Sequence, residues 1–158
     1  MRKLLGALVL VTLSGCDRTP PDAGRPHLNA QASQFEFRGL RCGMAEQDAR
    51  NRLSELGLMS ATERLGTSMF SYENGLVTIS DDHRVSNFTV THGGLNASEL
   101  APEAFFARVS DVFRVRLGSQ SDAFCHTRAA RNGAGEELTA VACDDPNADL
   151  VTVTCPGL

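Results

Sequence analysis

Asp81, Asp82 and His83 set two carboxylates beside an imidazole, a combination able to hold a divalent cation or to pass a proton as an acid–base pair. The same three residues fall between two segments of alternating apolar character. There Asp is favoured because its side chain hydrogen-bonds the turning backbone, and a tight turn is the stronger reading. Asp145-x-Asn147-x-Asp149 has the opening spacings of a calcium loop, but Leu150 stands where the turning glycine belongs and Pro156 where the bidentate glutamate belongs. A polar hairpin loop is expected instead. His126 adjoins Cys125 and His92 precedes Gly93-Gly94, neither with a partner at ligand spacing. No G-x-S-x-G presents a serine nucleophile, and no G-x-G-x-x-G opens a helix around a phosphate. Lys3 is the only lysine, so nothing beyond it can form a Schiff base. No catalytic motif is found, and neither a cofactor nor a metal is expected.

The remaining reactive side chains are five cysteines: Cys16, Cys42, Cys125, Cys143 and Cys155. The first has its own context. Arg2 and Lys3 precede an apolar and small-residue run, Leu4 to Leu13, which ends in Ser14-Gly15-Cys16. A basic start, a short apolar segment and small residues form a secretory signal. The run is too short to span a bilayer, which takes about 20 residues. Leu13-Ser14-Gly15-Cys16 resembles the lipobox of bacterial lipoproteins. That resemblance implies cleavage before Cys16, which then carries a diacylglycerol thioether and an amide-linked acyl chain such as palmitate. Several chains anchor firmly at roughly 0.8 kcal/mol per buried CH₂. Asp17 follows the lipidated position, which leans toward the inner membrane, with the inner and outer membranes not resolved.

Setting Cys16 aside leaves four cysteines, an even number in an exported chain, none in C-x-x-C spacing. Two disulfides are expected rather than a metal site. Residues 1–15 hold Arg2 and Lys3 and no acidic residue, so their removal takes the formal charge from −4 to −6. An acidic chain argues against nucleic acid and against charge-driven adhesion to anionic lipid. The membrane would be reached through the lipid alone.

These residues need elements to position them. Pro20, Pro21, Gly24 and Pro26 among small polar residues make 16–34 a lipidated cysteine and flexible tether, ahead of a single domain over 35–158 with halves 35–95 and 96–158. Fully extended, the tether reaches at most about 60 Å. The spacing of Ala45, Ala49, Leu53 and Leu56 predicts a helix over 44–56, closed by Gly57, with Glu46, Asp48, Arg50 and Arg52 on a solvated side. Asn74-Gly75 reads as a type I′ hairpin turn pairing Tyr72 with Val77 and Phe70 with Ile79. A second turn at Asp82-His83 pairs Val77 with Phe88 and Ile79 with Ser86. Alternation then puts Phe70, Tyr72, Val77, Ile79, Phe88 and Val90 on one face, and Ser71, Thr78, Ser80, Asn87, Thr89 and Thr91 on the other.

The second half repeats the order. Pro102 opens a helix with Phe105, Val109, Val112, Phe113 and Leu117 on one side and Gly118 at its end. Strands follow near 123–129, 137–143 and 149–155, around an Asn132-Gly133 turn. Leu56-Gly57 recurs as Leu117-Gly118 at an offset of 61, and Asn74-Gly75 as Asn132-Gly133 at 58. The fold class is therefore α+β: two consecutive helix-plus-three-strand antiparallel units, a pseudo-repeat, in one domain. A turn centred on Ala134 puts Cys125 opposite Cys143. The next, centred between Pro146 and Asn147, puts Cys155 opposite Leu138, so the preferred pairs are Cys125–Cys143 and Cys42–Cys155.

Phe37-x-Gly39-Leu40-x-x-Gly43-Met44-x(3)-Asp48-Ala49, followed by Leu53 and Leu56-Gly57 and a strand meander, resembles small envelope lipoproteins of the SmpA/OmlA group and the β-lactamase-inhibitor-like fold. The matching span is about 37–90; Ala45 replaces the hydroxyl residue usual after Gly-Met, and there is no Trp. The resemblance implies a non-enzymatic module that binds a protein partner through a sheet face or loops. The inhibitor-like proteins carry two αβ units in tandem. The expected function is thus a lipid-anchored envelope protein that binds another protein, in envelope assembly or maintenance. An inhibitor or immunity lipoprotein acting on an enzyme or toxin is the alternative, and a hydrolase or redox enzyme built on Asp81, Asp82, His83 and the cysteines is a third.

Overall fold

A computed structural model describes residues 27–29, 33–64, 67–97, 100–121, 125–145 and 148–157. Cys16, the signal segment before it, most of the expected tether, and Pro146 and Asn147 lie outside the described residues. Within the span read as tether, His27–Asn29 forms a short strand, β1.

A small hairpin of β2 (Glu36–Phe37) and β3 (Leu40–Arg41) leads into α1 (Glu46–Glu55). Four strands follow: β4 (Leu58–Arg64), β5 (Thr67–Tyr72), β6 (Gly75–Ile79) and β7 (Val85–Thr91). Then α2 (Pro102–Phe113) is followed by β8 (Gly118–Ser121), β9 (Cys125–Asn132), β10 (Glu137–Cys143) and β11 (Leu150–Thr154). Each helix is therefore followed by four strands, not the three that the sequence pattern suggests. The two extra strands, β4 and β8, lie at the margins of the main sheet. A strand with one open edge needs no apolar alternation, and Leu58–Arg64 and Gly118–Ser121 show none.

The sheet runs β1-β9-β10-β11-β7-β6-β5-β4, with β8 also on β9. All pairings are antiparallel except β1 on β9, which is parallel. The halves join at the centre, where β11 lies against β7 with Val151 opposite Val90 and Val153 opposite Phe88. One cross-strand row, Ala61–Phe70–Val77–Phe88–Val153–Leu138–Ala130, crosses seven strands from β4 to β9. From Phe70 to Ala130 that row is wholly buried, and it packs with Ala49 and Leu53 of α1 and Phe105, Phe106 and Val109 of α2.

Two turns shift from their expected register. The first loop is Glu73-Asn74, with Tyr72 opposite Gly75 and Phe70 opposite Val77. Neither loop residue has a positive φ, so the turn is not type I′. Gly75 instead belongs to β6, where a Cβ would stand 1.8 Å from the Thr89 carbonyl oxygen. At the second turn Val77 faces Phe88 as expected, but Ile79 faces Val85, because the register shifts between Thr78 and Ile79 and leaves Ser86 outside the pairing. The faces survive because the first pairing moved by an even number of residues. Phe70, Tyr72, Val77, Ile79, Phe88 and Val90 are all buried.

The α2 helix also ends early. Arg114 takes a left-handed conformation (φ 52°) and Val115 turns inward, so Leu117 lies beyond the helix and Gly118 opens a strand. Gly57, by contrast, does follow α1 with φ 82°, so the two Leu-Gly pairs are not equivalent. The charged side of α1 is only partly solvated. Asp48 is exposed, but the Arg50 guanidinium lies 4.3 Å above the Phe70 ring, and Arg52 donates to the Arg38 carbonyl.

Candidate functional site

Each cysteine near the domain is placed by strand register. The β9–β10 hairpin sets Cys125 opposite Cys143, and the two form a disulfide with Cα atoms 4.2 Å apart. The loop before β11 is centred one position earlier than the sequence arithmetic puts it, giving Leu138 opposite Val153. Cys155 follows β11 and bonds Cys42, which follows β3, across a sequence separation of 113. That bond ties the first half to the last strand, and the Cys155 N–H donates to the Ser86 carbonyl. All four thiols are consumed in disulfides, so none is a nucleophile.

The ionisable groups flagged by sequence serve local roles. Ser80 Oγ donates to Asp82, and the His83 N–H donates to the Ser80 carbonyl, which closes the turn with His83 at φ 59°. His83 does not face Asp81 or Asp82: its Nδ1 lies 2.7 Å from Glu46 Oε2 on α1. Glu46 also accepts from Arg50 Nη2 at 2.7 Å. Contact with His83, then with Arg50, holds the Glu46 carboxyl below its ordinary value of 4.5. Asp149 is buried, and its Oδ1 accepts the Cys143 N–H at 2.8 Å. His126 is exposed, and His92 Nδ1 is buried with no hydrogen-bond partner among the described residues. Among the described residues no three His, Cys, Asp or Glu side chains are grouped to hold a metal ion.

Two larger surfaces remain. One is the sheet face away from the helices. The row Ser60–Ser71–Leu76–Thr89–Thr152–Thr139–Ala129–Gly118 crosses eight strands without a break. Ser60 and Ser71 hydroxyls lie 2.6 Å apart, and Thr89 and Thr152 hydroxyls 3.3 Å apart. Most of these side chains are half-buried by their neighbours, and the helices pack on the opposite face. At the β4 end of this face Met69, two residues from Ser71 on β5, is 38% exposed.

The second is a cavity of about 580 Å³ where three chain reversals meet: the β2–β3 turn, the loop after β7 and the end of α2. Arg38, Arg108 and Arg114 line it, with Asn96 and, as the single carboxylate among the described residues, Glu36. Buried Phe37 and Phe113, stacked with centroids 6.3 Å apart, and buried Leu95 supply its apolar side. Arg38 (φ 48°), Asn96 (φ 52°) and Arg114 (φ 52°) are left-handed, three of the four such non-glycine residues among those described. Each costs of order 1–2 kcal/mol relative to the ordinary backbone regions. Sequence spacing could not assemble this site, because 70 residues separate Arg38 from Arg108. The one local signal is Arg38-Gly39, an arginine where a hairpin turn with two positive φ angles favours Asn or Gly.

Comparison with known proteins adds no relative: no family model, no curated protein and no solved structure matches the chain. Among the described residues no helix is long and apolar enough to cross a membrane.

Proposed function

We propose that this is a lipid-anchored protein of the bacterial envelope, held by an acylated Cys16, whose domain binds another protein and catalyses no reaction. The observation that carries the reading is the continuous sheet face opposite the helices, rich in hydroxyls at Ser60, Ser71, Thr89, Thr152 and Thr139. Such a face offers broad contact with rotatable hydroxyl donors and acceptors to a partner surface. Exposed Met69 at one end adds adaptable apolar contact. Two disulfides suit an oxidising compartment.

Helix-plus-four-strand runs laid out as β4-β5-β6-β7 and then β11-β10-β9-β8 also favour a pseudo-repeat. That order supports the second reading, an inhibitor or immunity lipoprotein, because the inhibitor-like proteins place two αβ units in tandem. Envelope assembly and inhibition differ in the partner, not in the surface.

Two measurements test the proposal. Labelled palmitate should enter the chain and be lost in Cys16→Ser. A photo-crosslinker at Thr89 should capture a protein partner in membranes, and Thr152→Arg, directly opposite Thr89, should abolish capture without lowering Tm. Capture unaffected by Thr152→Arg, or seen only from a crosslinker on α2, would reject the sheet face. An envelope-machinery partner supports the first reading, and one tightly bound enzyme or toxin the second.

A further inference from the structure

The cavity at the end of α2 plays no part in that reading. We propose that it is a binding site for a small organic anion, a phosphate- or carboxylate-bearing molecule with an apolar portion. Three observations converge on it.

The first is charge. Among the described residues, a chain of formal net charge −4 places three arginines and one carboxylate around a single cavity. Guanidinium groups present a planar fork of donors matched to carboxylate and phosphate oxygens. The carbonyl end of α2 contributes a partial negative charge of about half an electron, which together with Glu36 falls short of the three arginine charges.

The second is backbone conformation. Arg38 sits in a two-residue turn followed by Gly39, and Arg114 is the left-handed residue at the end of α2. Asn or Gly would take the first position with less strain, and Gly the second. The chain carries arginine at both, and both line the same cavity. The Arg38 guanidinium lies 5.2 Å from the centroid of the Phe37 ring, which keeps it at the cavity wall.

The third is size and lining. About 580 Å³ lies in the range of small-molecule pockets. Half-buried Val112, with Phe37 and Phe113 also in the wall, gives a ligand's apolar portion a surface, while Arg108 is held by its Nε bond to the Leu95 carbonyl at 2.8 Å.

The test is calorimetric titration of the oxidised full chain with phenyl phosphate, phthalate, inorganic phosphate and benzyl alcohol. Saturable binding is expected for at least one aromatic anion, weaker binding for inorganic phosphate, and none for benzyl alcohol. The better of the two aromatic anions identifies the acidic group. Arg38→Gly and Arg114→Gly should each weaken binding about tenfold, the scale of one charge-assisted hydrogen bond. Phenylglyoxal modification of the unsubstituted chain supplies a readout independent of variant folding: bound anion should protect Arg38 and Arg114. The proposal is overturned if neither aromatic anion binds, if binding survives both substitutions together, or if the anion leaves both arginines open to modification. Because the cavity and the open sheet face involve different residues, either proposal can fail alone.

Discussion

At the residue scale, side chains that look reactive in the sequence are mostly turned to local use by their neighbours. Glu46 is the clearest instance. Its carboxylate joins α1 to the β6–β7 turn through His83 and reaches along the helix to Arg50. A carboxyl with a lowered pKa binds its proton less readily when folded, so the unfolded chain gains that proton first as pH falls. The stabilisation from Glu46 is therefore present above the ordinary carboxylate value and is lost as pH drops through the lowered one. The stability difference between the parent chain and Glu46→Gln, read from urea unfolding, should shrink as pH falls below about 4. A difference constant with pH would mean that the charge of Glu46 contributes nothing. Tyr72 shows the converse. Burial pushes its phenol well above the ordinary value, and its hydroxyl donates to the Thr89 carbonyl at 3.1 Å, so it stays a neutral donor throughout the accessible pH range.

At the element scale, the β6–β7 pair depends on one close approach. A Cβ on Gly75 would overlap the Thr89 carbonyl oxygen at 1.8 Å and meet the Tyr72 hydroxyl at 3.0 Å. Backbone cannot yield as a flexible side-chain tip can. Gly75→Ala should cost about 3 kcal/mol, the upper part of the overpacking range, and lower Tm by about 10 °C in thermal unfolding. A neutral substitution would show that the strands separate easily there. The same contact explains the turn. Asn74-Gly75 carries the composition of a type I′ hairpin, but the glycine serves proximity to Thr89, and the loop forms one residue earlier. Composition alone does not distinguish these two uses of glycine.

At the scale of the whole molecule, the halves are held together by the β7–β11 pairing and by the Cys42–Cys155 bond. In the chain-entropy picture a crosslink stabilises according to the loop it closes. A separation of 113 corresponds to about 5 kcal/mol, and one of 18 to about 3 kcal/mol. Removing Cys42 and Cys155 together as Ala should therefore lower the denaturation midpoint more than removing Cys125 and Cys143 together, with both variants kept under oxidising conditions. The reverse order would mean that the β7–β11 pairing already joins the halves without help from the crosslink. Alternation placed Phe70, Tyr72, Val77, Ile79, Phe88 and Val90 on one face without reference to tertiary structure, and counting from Ala134 set Cys125 opposite Cys143. Both are consequences of period-two geometry, which is local. The strands β4 and β8 and the β7–β11 contact were not legible, because edge strands carry no apolar period and main-chain pairing accepts any side chain. The arginine cavity was not legible either: Arg38, Arg108 and Arg114 share no spacing and meet only because three separate reversals of the chain converge. Which side chains go inside follows from alternation within each strand, a local property. Which distant segments lie side by side, and hence where charge gathers, was decided by tertiary packing.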